Sequence, residues 1–342
     1  MKTTCHEFYK EFKCIADKCP DSCCKEWDVV VDDESYEKYN NVCGEFGEKL
    51  KSLMVTDADG DRIFTLNKNR CPFWNGDMLC DIYINLGEDF LCETCKRFPR
   101  INLDYTAFEE KILSLACPEA LRLMLKKGAM QKVIVKENSL QTEPCDYDTD
   151  IMSLLLKERK KIFDVLNEED NSLFDCLKLI YKIFVDVQFK LDGFRYEEKQ
   201  IFDCENFISD YKDTVSLLLK LDIMTDEWKD FLENAVKYNP NKADITAFSK
   251  QTNEYAYEFK NLMYYYVFRY FLNSIDSYDV MECFNLMLLA VKSAYMLQLF
   301  EFSNKGSLTE ESRHRIFGLY SKEVEHSYEN IEKITSINSD FS

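Results

Sequence analysis

Apolar residues recur at three- and four-residue spacing along the chain from about residue 148 onward. This spacing gives each helix one apolar stripe and is typical of helices that pack together. Gly193, the Asn239-Pro240 pair and Gly306 interrupt the pattern, because glycine and proline favour helix ends. The pattern predicts helices over residues 149–167, 172–190, 196–221, 226–237, 243–274, 278–302 and 308–336.

The first 140 residues lack this regular spacing. The short apolar runs Trp27–Val31 and Lys132–Val135 predict strands, and turn-forming residues such as Asp57–Asp61 separate runs of this kind. Helices are predicted over Asp33–Leu53 and Pro118–Lys127. The second begins with proline, whose missing N–H is not needed in the first turn of a helix.

These patterns predict a mostly α fold. A cysteine-rich α+β region over residues 1–140 is expected to pack on an all-helical bundle over residues 141–342. The segment Tyr264–Phe271 is aromatic on all sides of its helix, which is more typical of a buried central helix than of a ligand-binding surface. Arg269 within it would then need a buried partner.

Composition narrows the class of protein. With 342 residues and 46% hydrophobic residues, the chain is long enough to bury an ordinary core. Its net charge is −19, so no basic face is expected and nucleic acid is not expected as a partner. Neither an apolar leader nor a stretch of about 18 apolar residues is apparent. A cytoplasmic protein without membrane contact is therefore expected, and the oligomeric state stays open.

Cysteine is the most informative residue type. Eleven of the fifteen cysteines precede Leu121, and in a reducing compartment such density indicates metal binding or redox chemistry more often than disulfides. Nine of them form a clustered pattern of predicted metal ligands: Cys14, Cys19, Cys23, Cys24, Cys71, Cys80, Cys92, Cys95 and Cys117. The scattered cysteines are expected to pack as small apolar residues: Cys43, Cys145, Cys176, Cys204 and Cys283.

Spacing leaves the metal open between zinc and iron–sulfur. Cys92-x2-Cys95 has the spacing of two thiolates on one ion or cluster. The adjacent side chains of Cys23 and Cys24 point to opposite sides in extended backbone, which suits two centres or one large cluster. Three of the six prolines directly follow a cysteine, as in some ferredoxin loops.

The sequence lacks the motifs of several functional classes. Its nine glycines include no Gly-x-Gly pair, which argues against a dinucleotide-binding Rossmann domain. A phosphate-binding Gly-x4-Gly-Lys-Ser/Thr loop is missing, and so is the Cys-x3-Cys-x2-Cys spacing of radical enzymes that use S-adenosylmethionine.

The segment Phe12–Trp27 resembles the opening F-x-C-x4-C-x3-CC-x2-W motif of the flagellin lysine-N-methylases. The resemblance continues through Arg70–Phe73, Leu79–Tyr83, Leu86–Glu88, Leu91–Cys95, Phe98–Arg100 and Ser114–Ala120, and reaches Tyr266–Phe271 and Glu323–Ser327. It implies methyl transfer from S-adenosylmethionine to lysine ε-amines of flagellin, with an iron–sulfur cluster, for example [4Fe–4S], held by thiolates among the nine cysteines.

Such a transfer needs a base, because a lysine ammonium must lose a proton before its nitrogen attacks a methyl sulfonium. Glu325 and His326 are the candidate pair, since a carboxylate orients an imidazole; Glu93 and Glu323 are further candidates. Arg97 and Arg100 either bind the carboxylate of the methyl donor or offset thiolate charge. The alternative is a non-catalytic interaction protein whose N-terminal region is held together by zinc.

Overall fold

The computed structural model describes residues 1–137, 144–193 and 207–337. The first part of the chain combines short helices with two small sheets, and short 3-10 turns join several of them. The elements are, in chain order, β1 (Lys2–His6), α1 (Glu7–Glu11), α2 (Asp33–Asn40), α3 (Gly44–Ser52), β2 (Met54–Thr56), β3 (Arg62–Phe64), α4 (Asp81–Leu86), α5 (Glu93–Arg97), β4 (Arg100–Asp104), β5 (Phe108–Leu113), α6 (Pro118–Met124) and β6 (Val133–Glu137).

Four of these strands form one sheet in the order β4-β5-β1-β6. β1 is parallel to β5 and antiparallel to β6, so that Cys5 lies between Lys111 and Ile134. Parallel neighbours require a long crossover between them, and here the crossover carries every cysteine from Cys14 to Cys95. The predicted strand at Lys132–Val135 is confirmed by β6, whereas β1, β4 and β5 were not predicted.

The second part of the described chain is helical, which confirms the predicted mostly α fold. Its helices are α7 (Thr149–Asn167), α8 (Leu173–Asp192), α9 (Tyr211–Leu218), α10 (Asp226–Ala235), α11 (Lys242–Thr252), α12 (Ala256–Tyr270), α13 (Ser274–Ser277), α14 (Met281–Lys305), α15 (Glu310–Tyr320) and α16 (Tyr328–Ile337). Polar caps fix several starts: Asp148 accepts backbone hydrogen bonds at α7, and Ser172 forms a capping box with Asp175 at α8.

α12 and α14 form the centre of the bundle. α12 packs against α14 and α7, and its residues Tyr265, Tyr266 and Phe268 are buried. The prediction that the aromatic segment is a core helix is therefore confirmed, and Arg269 has the buried partner that it requires, Glu325.

α14 is long and apolar enough to cross a bilayer when length and composition alone are counted. However, 78% of its most apolar window is buried inside the protein. A central helix of a bundle has the same composition, because every side of it faces other apolar side chains.

The apolar side chains pack in two clusters. The larger cluster joins the bundle to the four-stranded sheet and α6, through residues such as Ile112 and Leu121. The smaller cluster lies within the crossover and surrounds Tyr39, Phe64 and Phe73. The core of the bundle thus reaches into the first 140 residues. The boundary between residues 1–140 and 141–342 stays a prediction.

Several predicted elements differ from the structure. Trp27–Val31 is not a strand; only Val30 forms an isolated bridge, with Ile63. The helix predicted over Asp33–Leu53 is divided into α2 and α3, where Gly44 has a positive φ of 82° that a helix cannot continue through.

Two long predicted helices in the bundle are also interrupted. The one over 243–274 is broken by a 3-10 turn at Asn253–Tyr255, and the one over 308–336 by a π-helical turn at Ser321–Glu325. Part of the helix predicted over 196–221, together with Cys204, lies outside the described residues.

Candidate metal centre and the cavity beside it

Five of the nine predicted ligand cysteines gather at the smaller core. They are Cys24, Cys71, Cys80, Cys92 and Cys95. The backbone N–H of Cys71 donates to the carbonyl of Cys24 at 2.8 Å. Burial, together with the neighbouring thiols of Cys24, Cys80 and Cys92, raises the pKa of the Cys71 thiol to about 12. Mutual charge effects of this kind require sulfur atoms that lie near one another.

The other four predicted ligands form a second group toward the bundle. They are Cys14, Cys19, Cys23 and Cys117. Burial, together with the thiols of Cys19 and Cys14, raises the pKa of Cys117 to about 11. Thus the loop of Cys14 to Cys23 approaches the start of α6, although about 100 residues separate them in sequence.

Cys23 and Cys24 join the two groups. A hydrogen bond between the two thiols raises the pKa of Cys23 and lowers that of Cys24 to about 7. Beyond this bond, Cys23 neighbours Cys117, Cys14 and Cys95. Cys24 neighbours Cys71, Cys80, Cys95 and Cys19, so each of the two cysteines lies near thiols of both groups. Cys23 and Cys24 lie in a turn, so their thiols lie side by side where the two groups meet, and the expectation that they point to opposite sides, which assumed extended backbone, is wrong.

Three of the thiols lie at the N-terminal ends of short helices. Cys80, Cys92 and Cys117 each immediately precede a short helix, α4, α5 and α6 respectively. Burial raises the pKa of Cys80, and the backbone N–H groups of Tyr83 and Ile82 oppose that increase. These N–H groups point toward sulfur without forming a capping hydrogen bond. Oriented backbone donors favour the thiolate form that binds metal.

The donor chemistry of the two groups fits a thiolate-bound metal or cluster. The fourteen described cysteines are all free thiols, and soft sulfur ligands suit both zinc and iron–sulfur clusters. Hydrogen bonds pair Cys23 with Cys24 and Cys92 with Cys95. In the described residues no three His, Cys, Asp or Glu side chains have the close spacing of a coordination shell. Metal binding at these cysteines stays a prediction.

Glu325 lies at the end of the π-helical turn and is buried. Its carboxylate accepts hydrogen bonds from the hydroxyls of Tyr265 at 2.7 Å, Tyr270 at 3.0 Å and Ser321 at 2.5 Å, and it contacts the guanidinium of Arg269. These four partners occupy the carboxylate, so Glu325 is a structural anion in this arrangement. Its role as a catalytic residue stays a prediction.

His326 is turned away from that carboxylate. Its Nε2 lies 2.5 Å from the Ser114 hydroxyl, and its ring contacts Trp27 and Phe98 edge to face. Burial lowers the pKa of His326 to about 4. No hydrogen bond within the described part of the chain joins it to Glu325, so the carboxylate does not orient the imidazole.

Two other charged residues of the π-helical turn link the bundle to its surroundings. The buried ammonium of Lys322 lies 3.1 Å from Asp21 and 2.7 Å from Glu26, on either side of Cys23 and Cys24. Glu323 accepts a hydrogen bond from the backbone of Met224 at 2.8 Å. A π-helical turn is uncommon and frequently occurs at functional sites; here it holds the cysteine loop in place.

Arg97 and Arg100 are both exposed. Arg97 forms a 2.6 Å ion pair with Glu93, and the guanidinium of Arg100 lies 5.1 Å from the centre of the Phe12 ring. Neither arginine lines the cavity beside Cys19 and Cys117. Their assignment to the methyl donor stays a prediction.

A cavity of about 490 Å³ adjoins the second thiol group. Pro20 and Asp21 form one wall, and Ala116 and Pro118 form the next, so the wall residues directly flank Cys19 and Cys117. α6, α10 and α15 complete the enclosure. The volume lies in the usual range for small-molecule sites.

His314 on α15 lines this cavity. Its Nε2 lies 3.6 Å from Oε1 of Glu258, a buried carboxylate on α12 that Arg313 holds through two hydrogen bonds of 2.7 and 2.9 Å. The structure thus forms the carboxylate–imidazole pair that the sequence suggested for Glu325 and His326, but with other residues. Glu258 and His314 are 56 positions apart, and no local motif signals the pairing.

Residues 152–340 match the model of the C-terminal domain of FliB lysine N-methylase. This match covers more than half of the chain. The chain belongs to the FliB lysine N-methylase family. The resemblance that the cysteine motif indicated is therefore confirmed.

The FliB relatives include proteins named lysine-N-methylase from Salmonella typhimurium and Salmonella choleraesuis. Each is 30% identical over 148 residues, which are 38% of this chain and 35% of the relative. A flagellar biosynthetic protein FliU from Salmonella muenchen is 30% identical over 132 residues, 34% of this chain and 73% of the relative. The matched part spans about a third of the two methylases. No solved structure matches.

Proposed function

We propose that this FliB family member transfers methyl groups from S-adenosylmethionine to lysine ε-amines of flagellin. The observation that carries the proposal is the gathering of nine thiols from distant segments into two adjoining groups, one of which borders a cavity of substrate size. The names of the relatives, lysine-N-methylase and flagellar biosynthetic protein, support the reaction and the target.

We further propose that thiolates among the nine cysteines hold an iron–sulfur cluster. The group of Cys24, Cys71, Cys80, Cys92 and Cys95 provides enough thiolates for one cluster, and Cys14, Cys19, Cys23 and Cys117 provide four more. When bound, a cluster would supply a Lewis-acidic iron able to hold a carboxylate or an amine. Lys322 would keep the loop of Cys19 to Cys24 against the bundle through Asp21 and Glu26.

A second candidate function is a non-catalytic interaction protein in which zinc holds this region together. The observation in its favour is the four-thiol group, because four cysteines complete a structural zinc site. The ligand type suits both metals, so the metal itself discriminates between the two functions.

The first experiment is anaerobic purification of the full chain, followed by metal and sulfide analysis and absorption spectroscopy. Iron and acid-labile sulfide with thiolate-to-iron charge-transfer bands are expected. About two equivalents of zinc without iron would favour the interaction protein instead.

The second experiment tests the reaction. The protein loaded with its metal is incubated with flagellin and S-adenosylmethionine, and flagellin is analysed by mass spectrometry. Mass increments of about one methylene group on lysines are expected, with flagellin whose lysines have been acetylated as the control. An unchanged mass of flagellin under conditions in which the metal is retained contradicts the proposed enzyme.

A further inference from the structure

We propose that the cavity beside Cys19 and Cys117 receives the target lysine side chain, and that His314, oriented by Glu258, is the base that removes its proton. This inference rests on the proposed lysine methylation and assigns the site and the base, which the family match leaves open.

The location supports the assignment. The cavity wall includes Pro20 and Pro118, each adjacent in sequence to a predicted ligand, and the same cavity reaches His314 and Gly318 on α15. A molecule in this cavity would therefore touch the histidine and the residues next to Cys19 and Cys117 in sequence. The side chain of His314 is 14% exposed, so the imidazole is shielded but accessible from the cavity.

The histidine has one free ring nitrogen. Its Nε2 faces Glu258 at 3.6 Å, and within the described residues no hydrogen bond engages its Nδ1. At this distance, just beyond hydrogen-bond length, the negative charge of the carboxylate favours the proton on Nε2 and leaves Nδ1 as the acceptor. Arg313 donates two hydrogen bonds to the same carboxylate. The Arg313–Glu258 ion pair therefore fixes the position of the carboxylate beside the imidazole.

The other two histidines do not present a ring nitrogen to the cavity. His6 is fully enclosed by aromatic rings of Phe8, Tyr264 and Phe268. Nε2 of His326 lies against Ser114. Neither of the two lines the cavity.

Charge at the cavity favours an ammonium group. Three of the basic residues that line it are already paired, Lys25 with Asp21, Arg122 with Glu119 and Arg315 with Glu227. Glu310 and Glu311 also line the cavity, and neither has an ion-pair partner among the residues that the structure describes. These two carboxylates would attract a lysine side chain.

The step is a methyl transfer with a balanced proton. The ε-ammonium of lysine gives one proton to Nδ1 of His314, and the freed nitrogen lone pair attacks the methyl carbon of a sulfonium donor. A nitrogen–carbon bond forms and the carbon–sulfur bond breaks, so its electron pair stays on sulfur as a neutral thioether. The imidazolium then releases its proton to water.

The test is a His314→Ala variant of the full metal-loaded protein, assayed with S-adenosylmethionine and a peptide containing one lysine. Methylation is expected to slow roughly a hundredfold or more. Added imidazole should restore part of the rate, since it replaces the missing base. Ser312→Ala is the control, because Ser312 lies on the same helix but does not line the cavity. This variant should methylate the peptide at the wild-type rate.

The outcomes separate this inference from the proposed function. If the wild-type protein methylates the peptide and His314→Ala is equally fast, the base is not His314. A slow variant that imidazole does not accelerate also overturns the assignment. If the wild-type protein does not methylate the peptide or flagellin, both the proposed function and the assignment of His314 fail.

Binding tests the location without relying on catalysis. Gly318 lies on the helical wall of the cavity, and a Cβ placed there meets Leu121 at 3.7 Å. Gly318→Leu should therefore fill the cavity and abolish calorimetric binding of the lysine peptide, whereas Ser312→Ala should bind it normally. Unchanged binding by a folded Gly318→Leu protein would place the lysine elsewhere.

Glu258 is assigned as a positioning residue, and a double-mutant cycle tests it. Glu258→Gln should slow methylation in the wild-type background. It should slow the His314→Ala variant little further, because either change alone already disables the Glu258–His314 pair. Fully additive effects would mean that Glu258 acts only through the stability of the fold.

Discussion

Arg269 on α12 and Glu325 at the end of the π-helical turn form a buried ion pair, with 15% and 0% of their side chains exposed. The hydroxyls of Tyr265 and Tyr270 complete the surroundings of the carboxylate. Removing one partner of a buried pair leaves an uncompensated charge, which costs far more than the pair contributes over an apolar replacement.

Arg269→Met should therefore lower the free energy of unfolding by about 3–5 kcal/mol. Urea unfolding followed by circular dichroism measures this loss. Arg269→Lys is the matched control, since it keeps the positive charge and should lose less. A loss below about 1 kcal/mol in Arg269→Met would mean that water reaches the carboxylate.

His6 should make stability depend on pH. Its pKa is lowered from 6.5 to about 3, by burial first and by the charge of Arg159 second. The unfolded chain binds a proton on this residue below about pH 6.5, and the folded chain does not. The contribution of neutral His6 is thus fully present above pH 6.5 and is lost as the pH falls toward 3.

His6→Phe should remove this dependence. Neither ring nitrogen has a hydrogen-bond partner, and burial outweighs the opposing effect of the Met130 backbone on the pKa. The free energy of unfolding of His6→Phe is compared with that of wild type at pH 7.5 and at pH 5. The difference should favour the variant by roughly 2 kcal/mol more at pH 5 than at pH 7.5. Thermal or urea unfolding at both pH values measures the gain, and equal differences at the two would contradict it.

Lys322 should control how firmly the cysteine loop holds metal. Lys322→Met removes the buried counter-ion of Asp21 and Glu26 and leaves them only the half-buried Lys25, and loss of such supporting contacts typically weakens metal binding by roughly 10–100-fold. Competition with a chelator measures the effect. Lys333→Met breaks an exposed pair with Asp222 and should change nothing, whereas identical release from both variants would contradict a role for Lys322.

The two thiol groups should lose metal separately. Cys71→Ser affects the group at the smaller core and Cys117→Ser the group at α6, so each should remove part of the bound metal and the double variant nearly all. Elemental analysis of the purified proteins measures this. Cys43→Ser, at an exposed cysteine outside both groups, is the control. Full metal content in both single variants would exclude these cysteines as ligands.

Helix positions were largely predictable because each helix exposes one face and buries another. The bounds of α7 match the prediction, and Asp148 supplies the cap that the pattern implies. The π-helical turn at Ser321–Glu325 was not predictable, because four of its five residues are polar or charged, as on a solvated helix face, and yet all five are buried. Strand β1 was missed since its neighbours in the sheet, β5 and β6, are more than 100 residues away.

The candidate site was predictable only in part. The cysteine pattern brings its thiols together as expected, but the two directions expected for Cys23 and Cys24 assume extended backbone, and the pair lies in a turn with its thiols hydrogen-bonded to each other. The pairing of Glu258 with His314 depends on how α12 and α15 cross in the bundle, and the sequence near either residue does not encode that crossing. For the same reason Glu325, adjacent to His326 in sequence, bonds instead with α12.

The crossover between β1 and β4 has a thermodynamic consequence. Both of its ends are strands of the sheet that shares a core with the bundle, and Cys117 lies on the bundle side of the second thiol group. Any ion that binds only the folded arrangement of these thiols must therefore stabilise the distant helices as well. The melting temperature of the helical bundle would then report metal occupancy at the cysteines.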